Sequence, residues 1–129
     1  ADRHEVARDG KETAVEFYFH EIEKDVLILS ADGGLNASTA GQFLDEIERL
    51  VHGGVRKLII DCSKLEYISS YGLTVLVRLH SRMARHGGDV RLADVHGAMA
   101  KVMEITRLST LLAIYPDVNR ARLSFREPR

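Results

Sequence analysis

The stretch Lys57-Leu58-Ile59-Ile60-Asp61-Cys62, followed shortly by Leu65-Glu66-Tyr67-Ile68-Ser69-Ser70-Tyr71-Gly72-Leu73, decides how the rest of the chain is read. Its first part is a short apolar run of the kind that becomes a strand covered on both faces. Its second part ends in two adjacent serines. Just beyond them Leu73, Leu76, Val77, His80 and Met83 or Ala84 recur at i, i+3, i+4, i+7, the period of a helix with one side on a core. The chain therefore passes from strand to helix at the serine pair. With Ser69 as the N-cap, its hydroxyl accepts a bond from an orphan amide of the first turn, and Ile68 faces Leu73 as a hydrophobic staple. Ser70 becomes the first helical residue and points outward, while Gly72, lacking a side chain, lets other backbone come close. From these residues alone two uses stay open: both serines cap and solvate a helix end, or Ser70 displays a reactive hydroxyl.

On the N-terminal side, Val15, Phe17 and Phe19 alternate with Glu16, Tyr18 and His20 as a half-covered strand, and Asp25-Val26-Leu27-Ile28-Leu29 follows through a hairpin. Ala40, Phe43, Leu44, Ile47, Leu50 and Val51 form a one-sided helical stripe, opened by Thr39 with Gln42 three residues on and closed by Gly53. The helix from Ser70 to His86 stops at Gly87-Gly88, Asp89 to Ala93 is a strand, and Met99, Val102, Met103 and Thr106 mark a third helix. Leu111 to Tyr115 is a last short strand before Pro116, with a weakly patterned tail to Phe125. Strands alternating with helices at this spacing predict an α/β domain: a mixed, largely parallel sheet of about five strands with three or four helices. Residues 14–125 are expected to form that domain, with residues 1–13 a flexible leader and 126–129 a flexible tail.

At 129 residues the chain can bury a core without a metal or disulfide, and its single cysteine, Cys62, reads as a small buried thiol in a reducing cytoplasm. A formal net charge of −1 argues against a nucleic-acid or anionic-membrane surface carrying the function, and no apolar run is long enough to span a bilayer. The six histidines lack metal-ligand spacing, so neither metal nor cofactor is expected. His80 reads as a core or boundary histidine, and Met99 and Met103 as core. Asp61 reads as a turn and strand-end residue, since no acidic pair accompanies it to hold Mg²⁺. Gly33-Gly34, Gly53-Gly54 and Gly87-Gly88 read as turns. Ser70 lacks the first glycine of a nucleophile elbow, which argues against a serine hydrolase. The chain is not expected to be an enzyme.

From about Phe17 to Phe125 the chain resembles the STAS domain of bacterial anti-sigma factor antagonists. The resemblance rests on Leu58-Ile59-Ile60-Asp61, on Ile68-Ser69-Ser70-Tyr71-Gly72-Leu73 in place of Ile-Asp-Ser-Ser-Gly-Leu, and on Leu35-Asn36-Ala37-Ser38-Thr39-Ala40. The Gly87-Gly88 turn and Glu104-Ile105-Thr106-Arg107-Leu108 agree in order and spacing. It implies phosphorylation at Ser70, with Ser69 the lesser alternative, and partner binding through Asn36, Ser38, Thr39, Ser69, Tyr71 and Gly72. Implied partners are an anti-sigma factor with serine kinase activity and a PP2C-type phosphatase, with no direct contact to nucleic acid or membrane. The chain departs from the family pattern in three places: Ser69 replaces an Asp, Tyr71 a small residue, and Arg107 a helix-ending Gly. STAS-like domains also serve as non-switching scaffolds or as accessory subunits of stress-signalling and lipid or anion transport complexes, which is the alternative use.

Overall fold

β-Branched and leucine-rich runs alternate with amphipathic segments along the whole second half of the chain, and the architecture follows from that alternation. A computed structural model of the protein describes residues 2–6, 15–23, 26–35 and 40–126. The strands are β1 (Asp2–Val6), β2 (Val15–Glu23), β3 (Val26–Leu35), β4 (Lys57–Asp61), β5 (Leu65–Ile68), β6 (Asp89–Ala93) and β7 (Ala113–Tyr115). The helices are α1 (Ala40–His52), α2 (Ser70–Arg85), α3 (Gly97–Ile105) and α4 (Val118–Ser124), with a 3₁₀ turn at Leu108–Thr110.

The sheet runs β1-β2-β3-β4-β6-β7, and β5 pairs separately with β3. β1, β2 and β3 are antiparallel neighbours, whereas β3, β4, β6 and β7 run parallel, so the sheet is mixed and largely parallel as the pattern predicts. Two strands exceed the expected five or so. β1 lies in the stretch read as a flexible leader: Asp2 to Val6 pair with Phe19 to Val15. A polar sequence hides this strand because an edge strand is recruited through backbone bonds, and charged residues are what such edges carry. At the other end Arg126 lies in a turn, and residues 127–129 fall outside the described residues.

β5 arises because β3 is longer than its apolar run. Val26 to Ser30 pair with β4, and then Gly33, Gly34 and Leu35 pair with Leu65, Tyr67 and Ile68 of β5. Gly33 and Gly34 are therefore not a turn. Gly33 has φ +104° at a register shift, a bulge conformation only glycine adopts readily, and it lets β3 part from β4 and take up β5.

The central strands β4 and β6 are buried on both faces. Leu58 and Ile60 of β4 join one apolar cluster with Phe43 and Ile47 of α1, Val75, Leu76, Leu79 and Met83 of α2, and Met99 and Met103 of α3. Ile59, pointing the other way, joins Val26, Ile28, Ala93 and Ala121 under α4. Arg91, also on that second face, is 5% exposed: Nε donates to Asp89 at 3.0 Å, Nη1 donates to Ser124 Oγ at 2.6 Å, and the guanidinium lies 4.0 Å from the Phe125 ring centre. This clamps the end of α4 to β6. The buried side of α2 is Gly72, Val75, Leu76, Leu79 and Met83, rotated from the expected stripe, with Leu73, Val77 and His80 only half-buried. Apolar residues fill so much of this helix that periodicity alone leaves the choice of face open. Met99 and Met103 are core, as read.

Candidate functional site

α2 starts where its capping chemistry says it should. Ser69 has extended backbone (φ −86°, ψ 172°), and its Oγ accepts the amide of Gly72 at 3.1 Å while its carbonyl accepts the amide of Leu73 at 3.0 Å. Ile68 and Leu73, on either side of the cap, both pack against the main core, the arrangement of a hydrophobic staple. Ser70 follows as the first helical residue and is exposed, its carbonyl accepting the Thr74 hydroxyl at 3.1 Å one turn on. Gly72 is buried. One serine is thus half-buried and committed to the helix cap, while its neighbour projects outward from a turn fixed by a 16-residue packed helix.

The electrostatics of this turn are simple. The first turn of α2 contains no acidic residue, so the partial positive charge of the helix start is not offset there. Among the described residues no imidazole or carboxylate bonds the Ser70 hydroxyl, and no group of three His, Cys, Asp or Glu side chains could hold a metal ion. Asp61, at the end of β4, is occupied locally: Oδ1 accepts the amide of Ser63 at 3.0 Å, and Oδ2 accepts the Ser30 hydroxyl at 3.4 Å. Beside it Cys62 is buried, which pushes its thiol up to about 12, with the Asp61 and Asp94 carboxylates adding to the shift. That thiol stays protonated and unreactive at neutral pH. No helix among the described residues is long and apolar enough to cross a membrane.

The remaining expected partner-binding residues divide. Tyr71 is 39% exposed and leans towards α1, so that a Cβ placed on Gly41 would lie 4.0 Å from its hydroxyl. Asn36, Ser38 and Thr39 lie outside the described residues. The residues flanking that segment lie near the serine turn: Leu35 pairs with Ile68, and Gly41 is the glycine whose added Cβ would approach the Tyr71 hydroxyl. Sequence reasoning missed Tyr67, 38% exposed on β5 two residues before the cap. The signal was the in–out contrast of Leu65 with Glu66, too short to be read as a strand. Arg107 takes up the left-handed backbone (φ 62°, ψ 21°) that the glycine it replaces would adopt freely.

Residues 20–121 match the family model of the STAS domain. Over 94 residues the chain is 31% identical to a Bordetella bronchiseptica protein that carries the provisional name anti-sigma factor antagonist, covering 73% of this chain and 78% of that protein. A Thermotoga maritima crystal structure with the same provisional designation superposes with a TM-score of 0.80 at 26% identity, over 86% of this chain and 95% of that one. An anti-sigma factor antagonist from Mycobacterium paratuberculosis, at 21% identity, shares the fold with a TM-score of 0.79 over 95% of this chain and 99% of that one.

Proposed function

We propose that this chain, which belongs to the STAS-domain family of anti-sigma factor antagonists, works as a binding switch controlled by phosphorylation. Unmodified, it docks on an anti-sigma factor with serine kinase activity and so frees the sigma factor. Phosphorylated on Ser70, it no longer docks, and a PP2C-type phosphatase resets it in the cytoplasm. Its role is to bind, with no catalysis of its own.

The observation that carries this reading is the division of labour between the two serines. Ser69 is half-buried with its oxygen engaged by the Gly72 amide, whereas Ser70 is exposed and its hydroxyl is open to a modifying enzyme without any change to the cap. A phosphoserine adds about −1.5 to −2 charges, and at a helix start this is favoured by about 0.3–1 kcal/mol. Facing a partner's carboxylate at about 4 Å, the same charge costs up to ~4 kcal/mol at an effective dielectric near 20, on the order of a thousandfold in affinity. The fold tolerates the modification and the interface does not.

The test is to incubate the full chain with purified kinase-type anti-sigma factors and ATP and to map the phosphate by mass spectrometry. The expected result is modification on the peptide containing Ser70, lost in Ser70→Ala. A chain that binds its partner yet stays unmodified with every such kinase supports instead the non-switching scaffold, a use motivated by Ser69 and Tyr71 at positions where the family carries Asp and a small residue.

A further inference from the structure

We infer that Tyr71 is the specificity-determining residue of the docking face, selecting which anti-sigma factor binds, while the charge state of Ser70 selects whether one binds. The inference rests on the reading of the Ser70 turn as the docking surface.

Among the described residues five large apolar side chains remain substantially exposed, and two of them, Tyr67 and Tyr71, lie within three residues of Ser70. Tyr71 is the better placed. It sits in the first turn of α2 directly after Ser70, and its hydroxyl reaches the start of α1 at ordinary contact distance from where a Gly41 side chain would begin. The ring therefore leans from one helix start towards the other, beside the flank of the 36–39 segment. A tyrosine whose backbone is fixed in the first turn of a packed helix has only two side-chain torsions to lose when a partner closes over it, the property of a good anchor. Tyrosine is also among the residue types that dominate binding energy when they enter a partner's pocket.

The first turn of α2 itself carries no charged side chain, so Tyr71 discriminates there by shape. A partner with a recess for the ring gains an apolar contact next to Ser70, and a partner contoured for a small residue meets a steric obstacle at the same point. One side chain then both attracts the right anti-sigma factor and repels the wrong ones.

The experiment measures, by calorimetry, the affinities of the wild type, Tyr71→Ala and Tyr71→Phe chains for each purified kinase-type anti-sigma factor of the same cell. Melting temperatures are recorded alongside. Tyr71→Ala is expected to weaken the tightest complex at least about tenfold, or 1.4 kcal/mol. It should also narrow the affinity gap to the next anti-sigma factor, with Tyr71→Phe close to wild type. A purely structural role would weaken all partners alike and leave the gap unchanged, which overturns the inference. If Tyr71→Ala does not fold, Tyr71→Leu is measured in its place, with the same two outcomes. Wild type that binds and is phosphorylated on Ser70, combined with Tyr71→Ala affinities within about threefold of it, overturns the inference and leaves the docking reading intact. Wild type that binds none of the anti-sigma factors defeats the docking reading itself.

Discussion

Replacing Ser69 tests whether Ser70 is held rigidly, and the structure sets the size of the effect. The Ser69 hydroxyl lies 3.1 Å from the amide of Gly72, and Gly72 is buried, so water cannot readily take the place of a lost acceptor. Loss of a serine cap costs about 0.5–2 kcal/mol, and the burial of this amide puts Ser69→Ala in the upper half of that range, about 1–2 kcal/mol. For a domain of 129 residues that corresponds to a fall in melting temperature of roughly 4–7 °C. Hydrogen exchange at the Gly72 amide should accelerate at least about fivefold as the first turn frays. Ser69→Asp keeps an acceptor and adds a negative charge at the helix start, so it should match or exceed wild type by about 0.3–1 kcal/mol. Ser69→Gly loses the same acceptor but suits the extended cap backbone, so it should cost less than Ser69→Ala. Calorimetric melting and amide exchange read all three variants. Should Ser69→Ala melt with wild type and leave Gly72 exchange unchanged, the cap contributes nothing and the argument for a fixed Ser70 fails.

Gly88→Ala should destabilise the protein by about 1–3 kcal/mol in urea titrations, because a Cβ there would lie 2.3 Å from the Arg56 carbonyl oxygen in the turn that joins α2 to β6. Arg107→Gly should stabilise it by about 1 kcal/mol, since it removes a side chain from left-handed backbone, and unchanged melting would show that Arg107 carries no strain there. Cys62 confers a pH dependence of stability: its folded-state value is raised from 9.0 to about 12, so the folded protein holds the thiol proton after the unfolded chain has released it. Its contribution is whole below pH 9 and is lost as pH rises towards about 12. The stability gap between wild type and Cys62→Ala should accordingly shrink across that window, and a constant gap would contradict the burial of the thiol.

What could be read from the sequence depended on how far each element's own side chains specify it. β4, β6, α2 and the Ser69 cap were legible because apolar runs, helical spacing and capping chemistry all agree at those positions. β5 was not, since its four residues gain their strand geometry from pairing with the end of β3. The passage of β3 through Gly33 and Gly34 looked like a turn because glycine serves bulges and turns equally. β1 was hidden by its charge. At the serine turn, the capping role of Ser69 and the exposure of Ser70 were legible from capping chemistry, while the exposed Tyr67 depended on the unrecognised β5. The Arg107 substitution was legible as a departure, but its left-handed backbone required the structure.

The most direct measurement compares the affinity of wild type and Ser70→Asp for the same kinase-type anti-sigma factor, with melting temperature recorded on both chains. A negative charge confined to the docking face predicts binding at least about tenfold weaker with melting shifted by no more than about 2 °C. Equal affinities, or weakened binding accompanied by a collapse in melting temperature, would contradict the account.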